Sequence, residues 1–181
     1  MPNVVLLSGS PTPSSRLNGI LDFAHTTLES AGFHVERLLV RNLPPEALVH
    51  ARFDDPEIVK ATAAIERADA VVIATPVYKA AYTGLLKSFL DLLPQKGLVR
   101  KPVLPVAIGG TIAHLLTIDY ALKPVLSALG ATRIQTGVYI VDSQVLRDDQ
   151  GRLLIEDEAR KRLHDALLGF AEELDTVRVN V

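Results

Sequence analysis

The sequence predicts a doubly wound α/β fold, a parallel sheet with helices on both faces. Three observations carry this. Residues 4–7, 70–75 and 103–108 are near-continuous apolar runs, which suit strands covered on both faces rather than half-exposed ones. Capped helical segments alternate with these runs along the chain. The 181 residues contain no linker, repeat or low-complexity stretch, so a single domain over 1–181 is expected.

Each element has its own local reason. Residues 4–7 (VVLL) form the first strand, and a helix over 16–31 ends at Gly32, a glycine stop. Residues 34–40 (HVERLLV) lean to strand. A helix over 56–67 opens on Asp55 as N-cap, with Pro56 in its first position. Residues 70–75 (AVVIAT) form the third strand, and a helix over 84–93 is stopped by Pro94. A strand over 103–108 leads into a long helix over 112–129, closed by Gly130, and residues 137–141 (GVYIV) form the last strand. The terminal helix over 156–174 sets an apolar stripe (Leu163, Leu167, Phe170, Leu174) beneath a charged outer face, and a frayed tail follows. Five strand–helix units suit the flavodoxin-like order 2-1-3-4-5. Pro105 conflicts with its strand because proline cannot donate to a ladder, so either it faces a bulge or the strand is shorter.

Composition removes several function classes. The formal net charge is −2 without a basic run, which speaks against a general nucleic-acid binder. The absence of Cys excludes disulfides, thiol catalysis and thiolate-ligated metals, and no metal site is expected. No run approaches the ~20 apolar residues of a membrane span. The opening MPNVVLL lacks the basic start and longer apolar stretch of a secretory signal, so a cytoplasmic location without membrane partners is expected. The GxxxxGK[ST], GxGxxG, GxSxG and HExxH patterns are all absent.

In this fold, ligands bind beyond the carboxyl ends of the strands, where the strand order reverses. Three loops are singled out. The first, SGSPTPSSRLN (8–18), combines small hydroxyl residues, a helix start and Arg16. It reads either as a phosphate cradle or as an ordinary loop with Ser15 as N-cap. The second, TPVYKAAYTG (75–84), offers Tyr78 and Tyr82 either as a surface for a flat aromatic ligand or as cover for the sheet end, with Lys79 solvated. The third, IGGTIAH (108–114), pairs two glycines, which suits close approach to a ligand or a tight turn. His114 either stands near the ligand or caps that turn.

Together, GSPTPSSR (9–16), ARFDDP (51–56), ATPVYKAAYTGLLKSFLDLLP (74–94), VLPVAIGGTIAHLLTIDYALKPVLSALGA (103–131) and DSQV (142–145) carry a resemblance spanning roughly residues 3–146. The chain resembles the NADPH-dependent FMN reductase family, and within it the reductase component of two-component alkanesulfonate monooxygenase systems. The resemblance implies FMN at the strand ends and NADPH or NADH as electron donor. It places the phosphate loop on Ser10, Ser15, Arg16 and Asn18, and the flavin-ring loop on Pro76, Val77, Tyr78 and Lys79. Gly109, Gly110 and Thr111 fall near the pyrimidine edge of the ring. Many members carry an Arg soon after the Gly-Ser; here that region is Pro11-Thr12-Pro13, and Arg16 supplies the charge instead.

The implied chemistry is hydride transfer from the nicotinamide C4 to flavin N5, which needs no dedicated acid or base, so no catalytic residue is named. Reduced flavin then leaves for a flavin-dependent monooxygenase partner, in sulfonate-sulfur assimilation. The resemblance also implies a homo-oligomer, a dimer or a tetramer, with Tyr120 as an inserted residue forming a π-bulge at the subunit interface; the alternative is a Tyr packed on a helix kinked by Pro124. An FMN-retaining quinone or azo reductase, a flavodoxin-type electron carrier and a non-catalytic flavin-binding module remain as rival functions.

Overall fold

The computed structural model of the chain describes residues 1–179. Strand β1 (Asn3–Ser8) leads into α1 (Leu17–Ser30), then β2 (His34–Leu39), the short α2 (Pro45–Val49) and α3 (Pro56–Arg67). Next come β3 (Ala70–Tyr78), the two-residue β4 (Ala81–Tyr82), α4 (Gly84–Leu90) and β5 (Pro102–Gly109). The last third contains α5 (Lys123–Ala128), β6 (Arg133–Ile134), β7 (Val138–Val141), the hairpin of β8 (Val145–Arg147) and β9 (Leu153–Ile155), and α6 (Asp157–Val179).

The sheet runs β2-β1-β3-β5, with β6 and β7 sharing the final position, and every pairing along this path is parallel. With β6 and β7 counted as one interrupted strand, this is the expected 2-1-3-4-5 order. The continuous apolar runs follow from the pleat, because successive side chains point to opposite faces. Val4 and Leu6, with Val72 and Val106, enter the layer of α1 and α6, whereas Val5 and Leu7, with Val71 and Ile73, enter that of α3 and α4. Asp55 caps α3, its Oδ1 accepting from the Glu57 amide at 2.9 Å, with Pro56 in the first turn. Leu163, Leu167, Phe170 and Leu174 of α6 are all buried in the second layer.

Pro105 lies inside β5, opposite Ile73, so the strand is not shortened. The Gln135 amide donates to the Val103 carbonyl at 2.9 Å, and β7 resumes opposite Val106. The missing donor of Pro105 therefore faces the gap between β6 and β7. Gly137 fills that gap with φ of +92°, and a Cβ there would stand 2.9 Å from the Pro105 carbonyl oxygen.

Four expectations change. The helix over 112–129 is three pieces: a 3₁₀ turn at Ile112–His114, a π-helical turn at Ile118–Leu122, and α5. Pro124 comes just after the π-helical turn, at the point where the Lys123 amide donates to the Ile118 carbonyl and the backbone passes from π to α. The helix over 84–93 stops at Leu90. Helix α6 continues to Val179, so the tail expected to fray is helical up to that point, and residues 180–181 lie outside the described residues. Finally, α2, β4 and the β8–β9 hairpin, each five residues or fewer per element, are too short to display a period in the sequence.

Candidate functional site

The carboxyl ends of β1, β3, β5 and β7 open on one cleft of about 540 Å³, a volume suited to a small ligand. Its first side comes from the loop after β1. Gly9 lets this loop press against α4, because a Cβ there would stand 2.6 Å from Leu86 Cβ. Ser15 and Arg16 line the cleft beside Ser14. The Ser15 hydroxyl accepts from the Leu17 amide at 3.2 Å, fixing the start of α1. Ser10 is fully buried and turned inward, its hydroxyl donating to the Thr12 carbonyl at 3.3 Å. The Asn18 side-chain amide donates to the Pro13 carbonyl at 2.6 Å. Ser10 and Asn18 thus shape the loop and are not part of the cleft wall.

Pro76, Val77 and Tyr78 form the second wall. Two buried threonines tie it to the first loop. The Thr83 hydroxyl donates to the Gly9 carbonyl at 2.6 Å, and the Thr83 amide donates to the Thr75 hydroxyl at 3.2 Å, which in turn donates to the Pro76 carbonyl at 2.9 Å. The chain then reverses through Lys79 and Ala80, both left-handed with φ of +51° and +63°, so that Tyr78 pairs with Ala81 across β3 and β4. Left-handed backbone is unfavourable for residues with a Cβ. The Thr117 hydroxyl supports the reversal by donating to the Ala80 carbonyl at 3.1 Å. The Lys79 side chain is exposed and does not line the cleft. Tyr82 is half-buried, and burial pushes its phenol above the usual tyrosine range.

Ile108, Gly109 and Gly110 close the third side. The phenol oxygen of Tyr139 occupies the space a Cβ at Gly109 would need, whereas Gly110 faces open space. The same phenol donates to the Thr111 carbonyl at 2.8 Å. Burial, followed by the nearby Asp142 charge, pushes the Tyr139 phenol above the usual tyrosine range. Thr111 lies outside the cleft, its hydroxyl accepting from the Ala113 amide at 3.3 Å to start the 3₁₀ turn that contains His114.

Of the predicted site residues, Ser15, Arg16, Pro76, Val77, Tyr78, Gly109 and Gly110 converge on one cleft, while Ser10, Asn18, Lys79 and Thr111 do not face it. The sequence reading did not select Ser14, Ile108, Asp142 or Arg147, which also line it. It also missed Thr75, Thr83, Thr117 and Tyr139, which hold the loops from behind. Thr83 had a signal, since a Thr just before a helix start is a natural N-cap, and its hydroxyl accepts from the Leu86 amide at 3.1 Å. Tyr120 stands apart on the π-helical turn with 79% of its surface exposed.

The cleft thus joins an apolar and aromatic wall, a glycine edge, and an end bearing the Arg16 and Arg147 guanidiniums. A planar ring with a phosphate tail matches these parts in order. Among the described residues, no cluster of His, Asp or Glu is arranged to hold a metal ion. The chain is 46% identical to FMN reductase (NADPH) of Escherichia coli (strain K12) over 178 residues, covering 98% of this chain and 93% of that protein. It is 44% identical to FMN reductase (NADPH) of Pseudomonas putida over 168 residues, covering 92% and 85%. The solved apo form of NADH:FMN oxidoreductase (EMOB) superposes with a TM-score of 0.86 at 34% identity, covering 96% of this chain and 90% of that one. Residues 2–145 match the family described as NADPH-dependent FMN reductase, and the chain belongs to that family.

Proposed function

We propose that this NAD(P)H-dependent FMN reductase hands reduced FMN to a flavin-dependent monooxygenase, as the reductase half of a two-component system acting on sulfonates. Family membership makes the chain an oxidoreductase that uses FMN and a reduced nicotinamide dinucleotide. The open build of the cleft is the observation that supports handover of the reduced flavin. Tyr78 is 51% exposed, and both guanidiniums at the phosphate end, Arg16 and Arg147, are exposed. Solvent-exposed charges hold an anion weakly and exchange it readily. Such a site suits flavin that comes and goes as a substrate.

The residues divide the work. Ser14, Ser15 and Arg16 receive the phosphate, with the amide end of α1 behind them. Pro76, Val77 and Tyr78 offer the ring its apolar face, and the backbone of Gly109 and Gly110 meets its polar edge. FMN, when bound, supplies the hydride-accepting chemistry; the chain orients it and leaves one face open to the nicotinamide. No side chain is required to move a proton.

We also infer that the chain assembles with copies of itself as a tetramer through the segment of the π-helical turn, where Ile112, Leu115, Leu116 and Tyr120 are all exposed. A cytoplasmic setting fits a consumer of reduced nicotinamide. No helix among the described residues is long and apolar enough to cross a membrane.

The test is NADPH oxidation by flavin-free protein, followed at 340 nm with FMN in many-fold excess and, in parallel, with a quinone. Many turnovers limited by added FMN support a reductase that releases its product. A single stoichiometric burst, or turnover only with quinone, supports an enzyme that retains its flavin.

A further inference from the structure

The β8–β9 hairpin begins where the family match ends, at residue 145, yet it reaches the cleft. We propose that Arg147, on this hairpin, is a second guanidinium for the FMN 5′-phosphate, so that the hairpin sets the preference of this chain for FMN over riboflavin. The proposal rests on the reading that the cleft is the FMN site.

Four observations support it. Arg147 lines the same cleft as Ser14, Ser15 and Arg16. Its guanidinium is anchored rather than loose, donating to the Gly151 carbonyl at 2.9 Å and the Ser14 carbonyl at 3.3 Å. A guanidinium has five N–H donors, so these bonds leave others free beside the loop. The adjacent carboxylate, Asp148, is engaged elsewhere: Arg152 Nε donates to it at 2.7 Å, and the Gln150 and Arg152 amides donate at 2.9 and 2.8 Å. Arg147 forms no ion pair among the described residues, and neither does Arg16.

The loop over 9–16 holds a single cation, Arg16. A second guanidinium adds directed, charge-assisted hydrogen bonds to those that Arg16 and the amide end of α1 offer a phosphate. The cleft also contains one carboxylate, Asp142, so Arg16 alone leaves the lining side chains neutral in sum, and Arg147 makes them cationic. Phosphate groups are also present on the nicotinamide dinucleotide. The anchor on Ser14, within the loop that opens α1, favours the flavin phosphate.

The experiment titrates FMN and riboflavin separately into the full flavin-free chain, reading the quenching of flavin fluorescence. Arg147→Ala is expected to raise the FMN dissociation constant about tenfold, the scale of one charge-assisted contact, and that of riboflavin less than about twofold. Arg147→Lys, which keeps the charge, is expected to fall between, with a salt dependence of FMN binding close to that of the parent. Equal weakening of both flavins, or none, overturns the proposal. An unchanged FMN-to-riboflavin ratio with a raised KM for NADPH also overturns it and assigns Arg147 to the dinucleotide. Gly110→Trp separates this from the underlying reading: Gly110 lines the cleft and a Cβ there meets nothing within 4 Å, so the variant adds bulk at the glycine edge with no close contact at that atom. Loss of both flavins in that variant keeps the cleft as the flavin site even if Arg147 fails, whereas unchanged binding of both removes the cleft reading itself.

Discussion

The Tyr139 phenol donates to the Thr111 carbonyl at 2.8 Å and fills the space over Gly109, so one ring on β7 sets the path of the glycine loop after β5. Tyr139→Phe keeps the ring and removes the bond, which is expected to cost about 1 kcal/mol of stability. The variant also carries a pH signature. The folded-state phenol titrates above its ordinary value of 10.0, so its contribution is complete below that pH and is lost as pH rises through the folded value. Urea unfolding at neutral and at alkaline pH should show the parent losing more stability above pH 10 than the Phe variant does. Parallel losses would mean that Tyr139 does not titrate differently in the two states.

Neighbouring glycines should behave oppositely. Gly109→Ala drives a methyl group into the Tyr139 phenol, so a loss of about 1–3 kcal/mol and weaker FMN binding are expected. Gly110→Ala meets nothing within 4 Å and should stay within about 0.5 kcal/mol of the parent. Thermal melts with flavin titrations of the two variants decide it; similar behaviour would contradict the close contact.

The reversal at Lys79 and Ala80 places two residues with side chains in left-handed backbone where Asn-Gly is the favoured pair. The double variant Lys79→Asn with Ala80→Gly should gain up to about 1 kcal/mol, the relief of strain less the added freedom of the unfolded chain. An unchanged or lower melting temperature would show that the Thr117 support already offsets the strain.

Tyr120 exposes 79% of its surface on a π-helical turn. Tyr120→Ala should move the chain to a smaller assembly and alter flavin release, while far-UV circular dichroism stays unchanged. Light scattering at several protein concentrations reads the first effect, and the steady-state FMN dependence reads the second. A variant with parental mass and turnover would exclude Tyr120 from the contact between copies.

The central sheet was legible because burial on both faces leaves a coarse mark: Val4 to Leu7 and Ala70 to Thr75 have no solvent side to interrupt them. The site was legible only as far as the loops. Strand order brings residues 14–16, 76–78 and 108–110 to one place, but a residue type does not reveal which way its side chain turns. Ser10 and Asn18 satisfy their own loop, and Lys79 serves through its backbone angles. Tyr139 and Arg147 reach their positions through contacts 28 and 133 residues distant in sequence, which no local pattern records. The long helix over 112–129 failed as a single element because its 3₁₀ and π turns have 3 and 5 residues, too few for their different periods to show in the sequence.

The gap opposite Pro105 has a consequence for how the chain meets its neighbours. It cuts the last position of the sheet into a two-residue strand and a four-residue strand, β6 and β7. An outer strand of even length would offer a row of unpaired amides and carbonyls to any passing extended segment. Here that row is broken midway, so a foreign strand laid along it cannot keep register past the interruption. Side chains occupy what β7 would still offer: Arg162 donates to the Tyr139 carbonyl at 3.1 Å, and Gln144 accepts from the Val141 amide at 3.0 Å.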